Sequence, residues 1–234
     1  MTLDTADFPP ARSQRKLTLT RSQLAACLAE DDGPWLLEDC VLDGDFSKLV
    51  LRGWVFRRCQ LAGSRWTGAD LEQSQWLQCR GGGSDFQRTV MTESLLVGCD
   101  FNNSRWLHAK LPAARFHGCK LTGANFKGIS ALGLDFSETL LVGAVLSGLS
   151  FRKQRLEQLD FSDADLSGCD FRDAVFVGGS LRNAYIPQAD FTGADLREVA
   201  LDGLKIIGSN AFSKALISSS QAATLLAEFG LRVG

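Results

Sequence analysis

Four cysteines, Cys59, Cys79, Cys99 and Cys119, stand twenty residues apart. Thiols in such a series are the first candidates for chemistry, as metal ligands or as a redox relay. A zinc site needs four ligands that converge on one point, so the question is whether a spacing of twenty brings these sulfurs together. Cys27, Cys40 and Cys169 are isolated, with no paired histidine. The two histidines, His108 and His117, have no nucleophile or carboxylate placed beside them by spacing. Gly81-Gly82-Gly83 lacks the strand, following helix and lysine of a phosphate-binding loop. No catalytic, metal or cofactor-binding residue is assigned, and no cofactor is expected.

The rest of the chain shows how a spacing of twenty arises. From Leu36 to Ile206 every fifth residue is large and apolar, and of 35 consecutive positions only Gly81 and Ala131 depart, with no slip of phase. Two residues earlier the side chain is usually small, as at Cys59, Ser64, Ala69, Ser74 and Cys79. Five steps of a 3.6-residue helix turn by about 140° and would scatter these residues around it. A strand needs a period of two. A period of five therefore needs a turn in every repeat, and four turns close a coil of twenty residues. Coils stacked at the strand spacing of ~4.8 Å put the beat residue and its small partner inside. The four cysteines then form a column up one inner edge and do not converge.

The triplets Ala69-Asp70-Leu71, Ala124-Asn125-Phe126, Ala164-Asp165-Leu166, Cys169-Asp170-Phe171, Ala189-Asp190-Phe191 and Ala194-Asp195-Leu196 resemble the A(D/N)LXX motif of the pentapeptide-repeat family. The resemblance implies an all-β fold, a right-handed quadrilateral parallel β-helix of nearly nine coils. One inner column reads Phe46, Trp66, Phe86, Trp106, Phe126. The organisation expected is a disordered tail over residues 1–19, an N-terminal capping helix over 20–33, the β-helix over 34–208 and a C-terminal capping or dimerisation segment over 209–234. Thr20-Arg21-Ser22-Gln23 is a capping-box pattern, and Ser218-Ser219-Ser220-Gln221 opens the second helix. The rhythm weakens from Ile129 to Leu159, where local distortion and a buried Gln154 amide are expected. The ending, with Leu225, Leu226, Phe229 and Leu231, resembles that of the quinolone-resistance branch of the family, in which the end helix pairs two subunits.

A net charge of −2 indicates neither a basic nucleic-acid-binding domain nor a strongly acidic one. No apolar run reaches the ~20 residues of a membrane span, the first twenty residues lack a Sec-type apolar stretch, and seven cysteines fit a reducing compartment. A cytoplasmic location follows, with non-Sec secretion as the alternative. Outward positions carry one basic coil, Arg105, Lys110, Arg115 and Lys120, then the acidic Asp160, Asp165, Asp170, Asp190 and Asp195. Leu77, Leu95 and Val97, with Val55 below, make an apolar outer patch. The reading is a non-enzymatic protein offering a rigid surface to a protein partner, without direct nucleic-acid or membrane binding. What the resemblance implies is DNA mimicry toward DNA gyrase or another topoisomerase, giving antibiotic resistance. The alternatives are a secreted virulence effector or secretion accessory, and a structural scaffold. The register has a direct test: Phe126→Asp should abolish the cooperative melting seen by circular dichroism, whereas Arg115→Asp should leave it intact.

Overall fold

A computed structural model describes residues 12–30, 33–204 and 210–227. In chain order the elements are β1 (Arg12–Arg15), β2 (Thr18–Leu19), α1 (Arg21–Glu30), β3 (Trp35–Glu38), β4 (Val41–Leu42), β5 (Val55–Arg57), β6 (Gln75–Leu77), β7 (Leu95–Val97), β8 (Arg115–His117), β9 (Asp135–Ser137), β10 (Arg155–Glu157), β11 (Val175–Val177) and α2 (Ser219–Ala227). Between these short strands single bridges recur every five residues. The chain forms two compact units, residues 1–135 and 136–234, and their boundary falls inside the stretch where the rhythm weakens. Each unit is a parallel β-solenoid with twenty-residue coils.

In the N-terminal unit, β5, β6, β7 and β8 pair in parallel at steps of twenty, Phe56 with Trp76, Trp76 with Leu96 and Leu96 with Phe116. Three other sides repeat the step, for example Gln60, Arg80, Asp100 and Lys120. Most corners are closed by the beat residue's carbonyl accepting from the amide three residues on, as Leu61 does from Ser64 at 3.1 Å. The residue before that amide has positive φ, 70° at Gly63, the geometry of a type II turn.

The first coils depart from the expected phase. Leu37 and Leu42 are the inward residues, both fully buried, while Val41 is 36% exposed. Leu37 pairs with Phe56 at a step of nineteen. One residue is therefore missing between Leu42 and Phe46, where Gly44 takes φ 137°, and the beat starts at Leu37. The shift also moves Cys40 into the cysteine column. The tail expected over 1–19 is corrected as well: β1 pairs in parallel with β3 and β2 with β4, so residues 12–15 and 18–19 belong to the sheet, and residues 1–11 lie outside the described ones. Helix α1 follows with one half of the capping box made, Gln23 Oε1 accepting from the Thr20 amide at 2.8 Å and from the Thr20 hydroxyl at 2.9 Å, and it buries Leu24 and Cys27.

The core is solid. Phe46, Trp66, Phe86, Trp106 and Phe126 stack at successive centroid distances of 4.7, 6.3, 4.4 and 5.6 Å, and neighbouring columns meet edge to face, as Trp66 meets Trp76 at 5.6 Å. Burial of each such side chain contributes roughly 1.5–3 kcal/mol. Serine at the small position completes each beat tryptophan: the indole N–H groups of Trp66, Trp76 and Trp106 donate to Ser64, Ser74 and Ser104 at 2.8, 2.9 and 2.7 Å. The gap in the beat at Gly81 is filled from the next coil by the Phe101 ring, which lies where a Gly81 side chain would stand.

The C-terminal unit repeats the plan. Phe151, Phe171 and Phe191 stack at 4.9 and 4.6 Å, and Phe212 extends the column at 4.8 Å after a step of twenty-one. The expected beat at Ile206 lies outside the described residues. Gln154 is half-buried rather than buried. Ser218 and Gln221 form a reciprocal cap on α2, at 2.6 and 3.2 Å, and Gln221 Nε2 also donates to the last coil's Leu196 and Val199 carbonyls, each at 2.7 Å. At the inward small position, bulky Leu159 is followed one coil later by Gly179, whose missing side chain would collide with the Leu159 backbone. Gly63 has the same sign of φ and open space beside it. Gly63→Ala should cost about 1–2 kcal/mol from φ alone, and Gly179→Ala about 3 kcal/mol or more, in a comparison of denaturant midpoints.

Candidate functional site

The interior of the described coils is filled by side chains, and the outward columns are what they present to solvent. These columns are ordered by charge. Residues twenty apart face each other across one rung, and several pairs have opposite sign: Arg65 with Asp45 at 3.5 Å, Arg105 with Asp85 at 3.1 Å, and Lys120 with Asp100 at 3.6 Å. Two members of the expected basic coil, Arg105 and Lys120, thus spend charge on carboxylates one coil earlier. Glu38, only 8% exposed, receives Arg15, Arg57 and Arg58 at 3.0, 3.4 and 2.9 Å and ties β1, β3 and the end of β5 together. The Arg58 guanidinium also grips Asp39 and holds its carboxyl below the usual range. These ladders were not foreseen, although opposite charges twenty apart are visible once the coil length is known.

The five expected acidic residues are placed on outward positions of the C-terminal unit, spread over all four of its sides. Only Asp170 and Asp190 share a column, paired across one rung. Each carboxylate first serves its own turn, Oδ1 accepting the amide two residues on: Asp160 from Ser162 at 2.9 Å, Asp165 from Ser167 at 3.0 Å, Asp170 from Arg172 at 3.0 Å, Asp190 from Thr192 at 2.9 Å and Asp195 from Arg197 at 3.2 Å. Arg172 then forks onto Asp170 and Arg197 onto Asp195, at 2.7 and 2.6 Å for the closer arms. Those contacts hold both carboxyls below the ordinary carboxylate range. The structure does not bring the five together as one face.

The residues of the expected apolar patch lie near one another, with one added member and little exposure. Leu77 is buried, and it clusters on the outer side of the strands with Leu36, which the sequence reading had placed inside, and with Val55; Val97 packs against them. Leu95 is half-buried two rungs from Val55 in the same outward column, with Gln75 between them. At the other end of the chain Leu225 is half-buried and Leu226 is 39% exposed, beside Leu216 at 52% and Ile217 at 37%. Phe229 and Leu231 lie outside the described residues.

The thiols are structural. Cys40, Cys59, Cys79, Cys99 and Cys119 each donate to a carbonyl of the preceding coil, at 3.2–3.5 Å. Burial pushes the Cys99 thiol well up and Cys169 up to about 12, which leaves neither as a reactive thiolate. Among the described residues no group of histidine, cysteine and carboxylate side chains could hold a metal, and no helix is long and apolar enough to cross a membrane.

A parallel solenoid of twenty-residue coils, with an inward large residue every five positions, defines the class. The sequence profile of pentapeptide repeats matches in eight copies over residues 84–128, 133–173 and 174–210, and the chain belongs to that family. Among solved structures it is similar to QnrB1, a plasmid-mediated fluoroquinolone resistance protein: a trypsin-treated form aligns over 82% of this chain and all of that one, at 21% identity and TM-score 0.69. The full-length QnrB1 structure gives 19% identity and TM-score 0.68 over the same shares. HetL, a pentapeptide-repeat protein involved in heterocyst differentiation regulation in the cyanobacterium Nostoc, aligns over 87% and 88% of the two chains at 16% identity and TM-score 0.57. At these identities the likeness is one of fold. Compared by sequence with curated proteins, the chain has no match.

The Asp170–Arg172 fork has a pH signature. A carboxyl whose folded pKa is lowered adds stability above its unfolded pKa, about 3.9, and loses it as pH falls through the lower folded value. Carbon-detected NMR should show Asp170 titrating below the ordinary range, and Arg172→Gln should move it upward. The thermal midpoint of the wild-type chain should fall as acid reaches the lower value.

Proposed function

We propose that this protein acts without catalysis, by presenting the outer columns of a solid β-solenoid to a protein partner. The observation that carries this reading is the filled interior: among the described residues aromatic and aliphatic beats stack in contact through the core, and the outward side chains are the ones held at defined spacing where a partner can reach them. DNA gyrase, or another topoisomerase, is the partner favoured by the fold likeness and the acidic C-terminal repeats. Residues 136–234 hold 12 acidic and nine basic side chains. Of the five, Asp160 and Asp165 make no ion pair among the described residues, whereas Asp190 faces Arg172 at 3.7 Å, so DNA-like charge would be read first at Asp160 and Asp165. The exposed Leu216, Ile217 and Leu226 around α2 support pairing of two copies through this end, with Leu225, Phe229 and Leu231 as further members.

A second reading is a secreted effector, with residues 1–11 as the address. A cut at residue 16 would remove β1, so the discriminating truncation stops at residue 11: export lost while folding survives supports this reading. For the first, the purified protein is added to a gyrase supercoiling assay with and without a quinolone. Inhibition or drug protection at micromolar protein, reduced at least several-fold by the Asp160→Lys, Asp165→Lys double variant, is the expected outcome. Activity unchanged at every concentration removes gyrase as the partner and leaves the fold standing.

A further inference from the structure

On the outer surface of the N-terminal unit an open groove of about 610 Å³ is lined by Arg58, Gln60, Gln78, Arg80, Gly98 and Asp100. Its origin is local. The corner after β3, β5, β6 and β7 is occupied in turn by Asp39, Arg58, Gln78 and Gly98, all with positive φ, 55°, 52°, 55° and 61°. That ridge ends at Gly98, where the side chain vanishes. The next outward column runs Gln60, Arg80, Asp100, and it forms the other wall of the groove. Two guanidinium groups, two carboxamides and one carboxylate therefore line a hollow that opens where the ridge loses its side chain at Gly98.

The charge of the hollow decides what it takes. Arg58 is already satisfied by Asp39 at 2.7 and 3.0 Å and by Glu38 at 2.9 Å, which fixes its plane. Asp100 is turned to its own loop, accepting from the Asn102 amide at 3.2 Å, and is offset by Lys120 at 3.6 Å. The Arg80 side chain has no hydrogen-bond or ion-pair partner among the described residues. What remains is about one uncompensated positive charge with five N–H donors in a planar fork, flanked by two amides that can donate to a second oxygen. A planar monoanion suits that arrangement. A phosphate bearing close to two charges would meet Asp100 at the rim.

We infer that this corner groove is a recognition site for a carboxylate, and that an acidic side chain of the protein partner is the group seated on Arg80. The inference rests on the reading that the partner is a protein, and it deepens that reading by naming a basic contact in the N-terminal unit.

The experiment is a titration of the full chain, followed by the side-chain Nε–H signals of arginine and the amide NH₂ signals of glutamine. Sodium acetate, inorganic phosphate and sodium chloride are added in parallel at constant ionic strength. Arg88 is the internal control, since it also lacks a side-chain partner among the described residues but lies away from the groove. Acetate should shift Arg80, Gln60 and Gln78 saturably, with Arg88 changing only as it does in chloride, and Arg80→Gln should remove the saturable response of both glutamines. Equal responses of Arg80 and Arg88 overturn the site. A stronger saturable response to phosphate overturns its assignment to a carboxylate. Because small anions report on the groove alone, its failure is separable from a negative supercoiling result.

Discussion

Everything in this protein depends on the hydrogen bonds between coils. The amide of an inward residue donates to a carbonyl nineteen residues later, as Phe46 does to Arg65 and Leu51 to Asp70, both at 2.7 Å, and the amide of the outward residue returns the bond to the coil before. A rung made this way fixes the stagger of neighbouring coils to a single residue. A slip by one would exchange inward for outward side chains on every side at once. The five-residue beat is the sequence's record of that constraint.

The constraint explains the strain the backbone accepts. A corner every five residues needs a left-handed residue, and nineteen non-glycine side chains among the described residues occupy such positions, including Lys48, Arg88 and Ala113. Each costs on the order of 1 kcal/mol or more. The rungs on either side and the stacked core hold the corners in place, so the strain persists only because it is over-determined. The same logic gives the end caps their form: α1 and α2 both close with a glutamine reaching back to the cap residue's amide, and Gln221 additionally binds carbonyls that the last coil would leave bare.

Surface chemistry follows from the same stacking. Side chains twenty apart in sequence are held on adjacent rungs, so charge is compensated along columns before any partner arrives. Asp85 with Arg105 and Arg182 with Asp202 are cases of this. A count of acidic repeats therefore overstates the field outside, and the residues left for recognition are those the columns do not pair. Asp160 and Asp165 in one unit and Arg80 in the other are of that kind.

The sequence by itself determined the period, the class of fold, the aromatic column from Phe46 to Phe126, the position of both helices and the structural role of the cysteines. These are legible because each is a repeated local rule: one residue type, at one step, under one steric demand. Tertiary structure decided what depended on exceptions to the rule. The missing residue before Phe46 is invisible to a pattern that Leu36 and Val41 satisfy by residue type, and the pairing of Leu37 with Phe56 is what shows that Leu36 faces outward. The incorporation of Arg12–Arg15 into the sheet rests on pairing with β3 and not on any period of its own. Which carboxylates are free, and where a hollow opens between Arg58 and Arg80, depends on long side chains reaching across rungs. Their reach is a property of three-dimensional neighbours, and no spacing along the chain encodes it.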